Sequence, residues 1–363
     1  MNPNPLVIER LNDGKPVITP TELSWENGGT VNPAAVYLER SPVNDVILKG
    51  LLARENLDDL RDGAVAVFYR AISAKDTHHA IPFSSTGLAI FTPGFELIKR
   101  YPEPVLSPGK ERSSFDAYGT EDPRITRIGN TFYMLYCGPR QILKKYIQTR
   151  LCLATSNDLL HWIKHGPLPG DPDRWNNKDG VLFPGPINGK YYLLHRPWGS
   201  EFKVSDYSIY LSESDSPEGA WNDIGMVLHS KPNPAFVHAW VGAGTVPIPA
   251  GNERYIVIYH TGQYLNEHDR QYDMAAALFD FNRLSRRDPQ AIVTRRIEPL
   301  MTPRTPYERS LLPDGSRLDV LFPCGSYEKD GFIYILYGAA DLYTAAARVN
   351  KQDLLNALEE SDQ

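Results

Sequence analysis

One hexapeptide, Gly119-Thr120-Glu121-Asp122-Pro123-Arg124, sets two carboxylates and an arginine beside a proline. It runs directly into Ile125-Thr126-Arg127-Ile128, which has the composition of a short strand. Because proline disfavours helical backbone in the residue before it, we expect Asp122 to be extended and to lie at the entry of that strand. Neighbours on an extended strand point to opposite sides, so Glu121 should face away from Asp122. The pattern allows either a positioned general acid or an ordinary turn with an ion pair.

A strand signal of similar kind occurs five times along the chain, each time after a turn dipeptide that combines glycine with Asn or Asp. Such dipeptides supply the positive φ that tight hairpins require, so five β-hairpins are predicted. The turns recur every ~60 to 80 residues, which suits a four-stranded blade with long loops. This favours an all-β fold, a five-bladed β-propeller, over an irregular β-sandwich. The five units span residues 62–70, 129–138, 188–196, 251–260 and 330–338.

The repeats run almost from end to end, so we interpret the 363 residues as one catalytic propeller with short extensions. The predicted divisions are a lead-in over residues 1–30, the propeller over 31–345 and a tail over 346–363. The lead-in could supply a closing strand or a rim loop. Leu354, Leu355 and Leu358 recur at helical spacing, which predicts a short C-terminal helix.

Composition limits the classes of partner. A net charge of −6 without a long basic run argues against nucleic acid. No apolar stretch reaches the ~18 residues of a membrane span, and the first residues do not resemble a secretion signal. Three cysteines, two of them in or beside apolar strands, indicate a reducing, cytoplasmic setting. Twenty tyrosines and six tryptophans could include platforms for a sugar, although most are expected in the core.

Two other motifs carry little functional weight. His78 and His79 are adjacent, but no second ligand pair stands at helical spacing, so no metal site is predicted. Gly242-Ala243-Gly244 does not complete a dinucleotide-binding pattern and no helical pattern follows it. It is interpreted as a site of close blade packing.

Several motifs, in order along residues 30 to 345, together resemble the signature set of glycoside hydrolase family 130. That family comprises β-mannoside phosphorylases and some β-mannosidases, and the resemblance also implies a five-bladed propeller. The motifs are residues 119–124 (GTEDPR), 178–184 (KDGVLFP), 195–197 (HRP), 259–262 (YHTG), and 322–325 (FPCG) with 337–341 (YGAAD).

The resemblance implies a role for each matching residue. Asp122 matches the catalytic acid, which protonates the glycosidic oxygen through the 3-hydroxyl of the bound mannose. The residues implied to bind the sugar are Asn32, Arg70, Asp179, His195 and Asp341. Those implied to bind phosphate are Arg150, Lys178, Arg196, Tyr259 and His260. Guanidinium forks, an ammonium and a hydroxyl suit the oxygens of a phosphate nucleophile.

One departure bears on the reaction: Trp240 stands where many phosphorylases of this family have a lysine, so one phosphate contact is expected to be missing. The resemblance implies inverting phosphorolysis of a β-mannoside to α-mannose 1-phosphate, with phosphate as co-substrate and no cofactor. The alternative is an inverting β-mannosidase in which a glutamate activates water, and a third is a sugar-binding propeller without activity. The available glutamates are Glu201, Glu213 and Glu267. The sequence leaves open the linkage, the leaving sugar and the oligomeric state, a homo-oligomer included.

Overall fold

Twenty-two strands and two α-helices form the secondary structure of a computed structural model that describes residues 6–74, 81–143, 146–199, 207–230 and 238–360. The chain starts with β1 (Ile8–Arg10), whose partner comes near the other end. Three antiparallel four-stranded sheets then follow, one after another along the chain. Their strands are β2 (Gly29–Leu38), β3 (Ala64–Ile72), β4 (Ser84–Phe91) and β5 (Leu97–Arg100); β6 (Glu121–Ile128), β7 (Thr131–Leu143), β8 (Tyr146–Ser156) and β9 (Ile163–Pro167); β10 (Asn176–Leu182), β11 (Tyr191–Trp198), β12 (Ile209–Ser214) and β13 (Asn222–Leu228).

The rest of the chain forms two more blades, which short parallel pairing between β17 and β20 joins into one sheet. Blade 4 contains β14 (His238–Ala243), β15 (Ile248–Gly251), β16 (Arg254–Tyr264), β17 (Arg270–Asp280) and β18 (Val293–Met301). Blade 5 contains β19 (Arg309–Leu311), β20 (Arg317–Lys329), β21 (Phe332–Ala339) and β22 (Tyr343–Asn350), to which β1 adds as the outer strand. The predicted five-bladed propeller is confirmed, and the lead-in supplies a closing strand.

The core lies between neighbouring blades, because each blade packs an apolar face against the next. Five clusters of buried residues join blades 1 and 2, 2 and 3, 3 and 4, 4 and 5, and 5 and 1. A middle strand is therefore buried on both faces, which accounts for the nearly continuous apolar runs in the sequence. The helix α2 (Lys351–Glu360) packs Leu354 and Leu358 into the cluster between blades 4 and 5, as the leucine spacing predicts.

Four of the five predicted hairpins are tight turns with positive φ, including Gly129 between β6 and β7 and Asp330-Gly331 between β20 and β21. The prediction of a hairpin in the first blade is wrong. There β2 and β3 are separated by residues 39–63, which contain the helix α1 (Pro42–Leu52). The Ser41 hydroxyl caps α1 by accepting from the Asn44 amide at 3.2 Å. No helix in the described part of the chain is long and apolar enough to cross a membrane.

Candidate active site

The inner strands of the first three blades, β2, β6 and β10, share a bulge near their N-terminal ends. The residues at these bulges are Asn32, Asp122 and Asp179, with φ of 48°, 53° and 57°. Asn and Asp tolerate this left-handed conformation better than most residues, and a bulge changes the direction of the side chain. The expectation that Asp122 is extended is therefore wrong, because the pairing of β6 with β7 overrides the preference that Pro123 imposes.

The two carboxylate oxygens of Asp122 have different surroundings. Oδ1 accepts from Asn32 Nδ2 at 2.7 Å and from Arg70 Nη1 at 3.3 Å. Oδ2 has no hydrogen-bond partner among the described residues. Burial alone would raise the pKa of Asp122, but Arg70, Arg124 and the Asn32 amide bring it below its usual value. The oxygen that can give a proton to a ligand is thus Oδ2.

Glu121 contacts the same guanidinium. Arg70 Nη2 lies 2.6 Å from Glu121 Oε1, and Arg70 Nε donates to Ser84 Oγ at 3.0 Å. The expectation that Glu121 faces away from Asp122 is therefore wrong, because the bulge interrupts the alternation of the strand. Glu121 therefore forms an ion pair with the arginine that also contacts Asp122.

Asp341 completes this side of the cluster from blade 5. It follows β21 and has a φ of 52°. Burial lowers the pKa of the Arg70 guanidinium, but Glu121, Asp122 and Asp341 outweigh it and raise that pKa. Four predicted site residues, Asn32, Arg70, Asp122 and Asp341, therefore come together from three blades.

Asp179 is the centre of a second group. Its Oδ2 accepts from Arg196 Nε at 2.6 Å, and Arg124 Nη2 lies 3.4 Å from Oδ1. His260 Nε2 is 3.8 Å from Oδ2. Burial would raise the pKa of Asp179, but the charges of Arg196 and Arg124 hold it far below its usual value. Asp179 is therefore a permanent anion that fixes the cations around it.

Arg124 connects the two groups, a role that the sequence analysis did not assign. Its side chain is fully buried and donates to the carbonyl oxygens of Asp122 at 3.2 Å, Gly244 at 3.1 Å and Ala243 at 3.1 Å. With its contact to Asp179, it links blades 2, 3 and 4. The available sequence signal was the position of Arg124 in the hexapeptide, close to Asp122. A guanidinium that is buried there needs carboxylates and carbonyls around it.

Two cations next to Asp179 keep donors for a ligand. Arg196 uses only Nε, and its two terminal nitrogens have no acceptor in the described part of the chain. The Lys178 ammonium lies 4.9 Å from the centre of the Trp198 ring. Among the described residues no carboxylate pairs with it. Arg196 and Lys178 are thus equipped to bind an anion.

His260 is also close enough to serve that anion. Both ring nitrogens are buried without a hydrogen-bond partner in the described residues, and the ring stacks on Phe322 at 4.2 Å. Burial lowers its pKa to about 3, so the ring is neutral at neutral pH and keeps one N–H donor. Gly242 makes the approach possible, since a Cβ there would lie 2.3 Å from Asp179 Oδ2 and 2.4 Å from His260 Cε1.

Tyr259 points to the opposite face of β16 from its neighbour His260. Its hydroxyl donates to Glu298 within blade 4, and its ring is fully buried in the cluster between blades 3 and 4. Alternation along the strand accounts for this separation. Tyr272 instead lies on the same side as His260, with its ring 6.0 Å from His260 and 5.4 Å from Trp240. The sequence analysis missed Tyr272, because its relation to His260 depends on the pairing of β16 with β17.

His195 contacts the site indirectly, through residues that hold the bulge of β10. Its Nδ1 accepts from Asn177 Nδ2 at 2.9 Å, and its Nε2 contacts Ser212 Oγ at 2.9 Å and Asp223 Oδ1 at 3.1 Å. Asn177 Oδ1 in turn accepts from the Lys178 amide at 2.9 Å. These contacts hold the bulge of β10, so a direct contact of His195 with sugar stays a prediction.

Arg150 makes its contacts away from both groups. Its Nη1 donates to the Trp175 carbonyl at 2.8 Å and its Nε lies 3.0 Å from Asp173 Oδ1. A phosphate-binding role for Arg150 stays a prediction.

Trp240 is 5% exposed and lies against Gly262, where a Cβ would be 2.2 Å from the indole.

The three glutamates considered for water activation do not share one place. Glu213 pairs with Arg286 at 2.5 Å and stands opposite Tyr192, four residues along β11 from Arg196. Glu267 lies on the loop between β16 and β17. Glu201, like His78 and His79, lies outside the described residues.

Comparison with known proteins places this geometry in a family. A family model described as beta-1,4-mannooligosaccharide phosphorylase matches residues 60–360. A 1,2-beta-oligomannan phosphorylase of Thermoanaerobacter sp. (strain X514) is 30% identical over 349 residues, which cover 96% of this chain and 98% of the relative. A beta-1,2-mannobiose phosphorylase of the same strain is 28% identical over 355 residues, covering 93% and 96%.

A solved structure agrees in fold. Beta-1,2-mannobiose phosphorylase from Listeria innocua, in complex with beta-1,2-mannobiose, superimposes with a TM-score of 0.74 at 22% identity over 99% of both chains. The chain belongs to glycoside hydrolase family 130, the family of the β-mannoside phosphorylases.

Proposed function

We propose that this chain is an inverting phosphorylase that cleaves β-1,2-linked mannosides with phosphate and releases α-mannose 1-phosphate. The observation that carries the proposal is that, among the described residues, an acid oxygen without a hydrogen-bond partner and cationic donors without an acceptor belong to two groups that Arg124 connects. Asp122 Oδ2 is available to the sugar, and Arg124 links Asp122 to the group that contains Lys178 and Arg196.

The reaction balances with these groups alone. A phosphate oxygen attacks the anomeric carbon of the mannosyl unit, and the bond from that carbon to the glycosidic oxygen breaks on the opposite face. The leaving oxygen takes the proton of Asp122, relayed by the 3-hydroxyl of the mannose. Phosphate itself is the nucleophile, so the proposed reaction requires no metal or cofactor.

Asp122 must hold a proton before the bond breaks, although its surroundings favour the carboxylate in the empty site. A phosphate dianion near Lys178 and Arg196 offsets the positive charge that lowers the pKa of Asp122. Phosphate binding therefore raises the pKa of Asp122 and favours its protonated form. The same anion that performs the attack prepares the proton for the leaving group.

The placement of Glu213 favours phosphorolysis over hydrolysis. An inverting hydrolase needs a second carboxylate about 6.5–9.5 Å from the acid to activate water. Glu213 stands about 14 Å along its blade from the level of Arg196, at ~3.4 Å per residue, and is already paired with Arg286. Asp179, which lies in the cluster, is held by Arg196 and Arg124.

The relatives that match almost the full chain support a β-1,2 linkage. Two of them carry the β-1,2 linkage in their names and align over 96% and 93% of this chain. We propose a β-1,2-mannobiose or oligomannan as the substrate. We also propose a cytoplasmic location, which the three free, buried cysteines support.

The test is an assay of β-1,2-, β-1,3- and β-1,4-mannobiose, each with and without inorganic phosphate. The expected result is α-mannose 1-phosphate from the β-1,2 compound, formed only with phosphate and identified by NMR. Mannose released at an equal rate in phosphate-free buffer would establish the hydrolase instead. Turnover of the β-1,4 compound alone would overturn the proposed linkage.

A further inference from the structure

Arg70 is held in a fixed position between the two adjacent carboxylates. Each of its three nitrogens has a different acceptor: Ser84 Oγ at 3.0 Å for Nε, Asp122 Oδ1 at 3.3 Å for Nη1 and Glu121 Oε1 at 2.6 Å for Nη2. A guanidinium is planar and rigid, so it cannot move toward one acceptor without leaving another. Its shortest contact is to Glu121, not to the acid.

We propose that Glu121 is a positioning residue for the acid: it anchors Arg70 so that the guanidinium engages Oδ1 of Asp122 and leaves Oδ2 to the sugar. This inference rests on the proposed function, because it takes Asp122 as the proton donor. In a purely structural ion pair, Glu121 would contribute to stability and not to proton transfer.

The charges around the pair support a shared titration. Burial raises the pKa of Glu121, while Arg70 lowers it and the Asp122 carboxylate raises it. Two carboxylates beside one guanidinium do not ionise independently. Because the repulsion between two carboxylates is reciprocal, an ionised Glu121 opposes the ionisation of Asp122 once bound phosphate has offset the nearby cations. In the described part of the chain, the titratable or charged groups that face the pair are Arg70 on β3, Arg124 on β6, Cys137 on β7, Lys178 on β10, Cys324 on β20 and Asp341 after β21.

The variant Glu121→Gln distinguishes a positioning role of Glu121 from a purely structural ion pair. It removes the negative charge and weakens the hold of residue 121 on Arg70, although the amide oxygen can still accept, so the change favours the Asp122 carboxylate. The protonated acid is then lost at lower pH, and the alkaline limb of kcat/KM should shift down by about one pH unit. At the alkaline end, activity should fall about tenfold, with a much smaller loss at pH 5.5.

The matched control is Glu213→Gln, which removes a glutamate of similar pairing, with Arg286 at 2.5 Å, on the third strand of blade 3. It should leave the pH profile unchanged. An unshifted alkaline limb in a folded Glu121→Gln protein would overturn the inference. Should that variant not fold, Ser84→Ala releases the Nε end of Arg70 and should lower kcat without raising KM for phosphate. An unchanged kcat would then overturn the inference.

The two proposals fail in different ways. The proposed function fails when the wild-type protein releases mannose without phosphate, whatever the pH profile of the variant. The positioning role fails when wild type is phosphate-dependent and neither variant alters its acid-dependent step.

Discussion

Two neighbours determine which carboxylate oxygen of Asp122 can carry the proton, because both of them bind the same oxygen. Asn32 and Arg70 both donate to Oδ1, and the left-handed backbone at the bulge turns the carboxylate inward. The acid therefore has a defined proton-bearing oxygen before substrate arrives. Preorganisation of this kind avoids reorienting the group during the reaction.

Replacement of this acid should separate catalysis from folding. We expect Asp122→Asn to keep the fold, because the amide oxygen can still accept from Asn32 and Arg70. Turnover should fall by about 10² to 10⁴, the usual contribution of general acid catalysis. Steady-state kinetics at saturating phosphate measure the loss, and Asp62→Asn in an exposed turn serves as the control. Retention of more than about a third of the activity would remove Asp122 from this role.

Lys178 offers a direct test of the anion site, because no carboxylate in the described part of the chain forms an ion pair with it. We expect Lys178→Ala to raise KM for phosphate by about 10- to 100-fold, since a charged contact contributes about 1.5–3 kcal/mol. KM for the mannoside should change little. The control is Lys99→Ala: Lys99 lies 4.4 Å from the centre of the Tyr101 ring, a similar contact in the first blade. A larger effect on the mannoside than on phosphate would contradict the assignment.

At the scale of the strands, local sequence predicts the blades well and the direction of single side chains poorly. Turn dipeptides and apolar runs predict middle strands such as β7 and β21, because both signals are local. Alternation alone would have predicted that Tyr259 and His260 point to opposite faces of β16. It fails at Glu121 and Asp122, because a bulge depends on how β6 pairs with β7, and pairing is not local.

The strand β17 carries a carboxylate whose ionisation lowers the stability of the folded protein at neutral pH. Asp273 is 6% exposed, and among the described residues it accepts only from the amides of Gln271 at 2.9 Å and Gln263 at 3.2 Å. Burial raises its pKa to about 6, opposed by the two amides and assisted by Asp319. The unfolded chain ionises near pH 3.9, so the free energy of unfolding falls as pH rises from about 4 to 6.

An asparagine at this position should therefore stabilise the protein. We expect Asp273→Asn to raise the free energy of unfolding by about 2 kcal/mol at pH 7.5, because the charge is removed and either glutamine can rotate its amide to accept. The gain should vanish near pH 4, where the wild-type carboxyl is protonated in both states. Urea unfolding at the two pH values measures it. An equal change at both values would assign the effect to packing.

For the whole molecule, the ring depends on how its last blade closes. The strand β1 adds to β22 through three residue pairs, which is little hydrogen bonding for the seam of a propeller. Arg10 reinforces it: Nε lies 2.7 Å from Glu308 Oε1, and Nη2 donates to Glu308 Oε2 at 2.9 Å and to the Thr302 carbonyl at 2.8 Å. Glu308 also accepts from the Tyr337 hydroxyl at 2.9 Å, so the seam is tied to the middle strand of blade 5.

Breaking this pair on one side should destabilise the protein strongly. Arg10→Met leaves the fully buried Glu308 carboxylate without its cation, and we expect a loss of about 3–5 kcal/mol in the free energy of unfolding. Burial would raise the pKa of Glu308, but Arg10 and the amides of Arg304 and Thr305 lower it. The contribution of the pair is thus present above the unfolded pKa of about 4.3 and is lost as the pH falls.

A double-mutant cycle measures how much of the loss belongs to the pair. Glu308→Gln in the Arg10→Met background removes the unpaired charge while its amide can still accept from Tyr337, so we expect part of the stability to return. Additive losses in urea unfolding at pH 7 would show that Arg10 acts through packing of its side chain or through Thr302 alone. A positive coupling that shrinks toward pH 4 would mean that the protonation state of one buried carboxylate controls how firmly the N-terminal strand closes the ring.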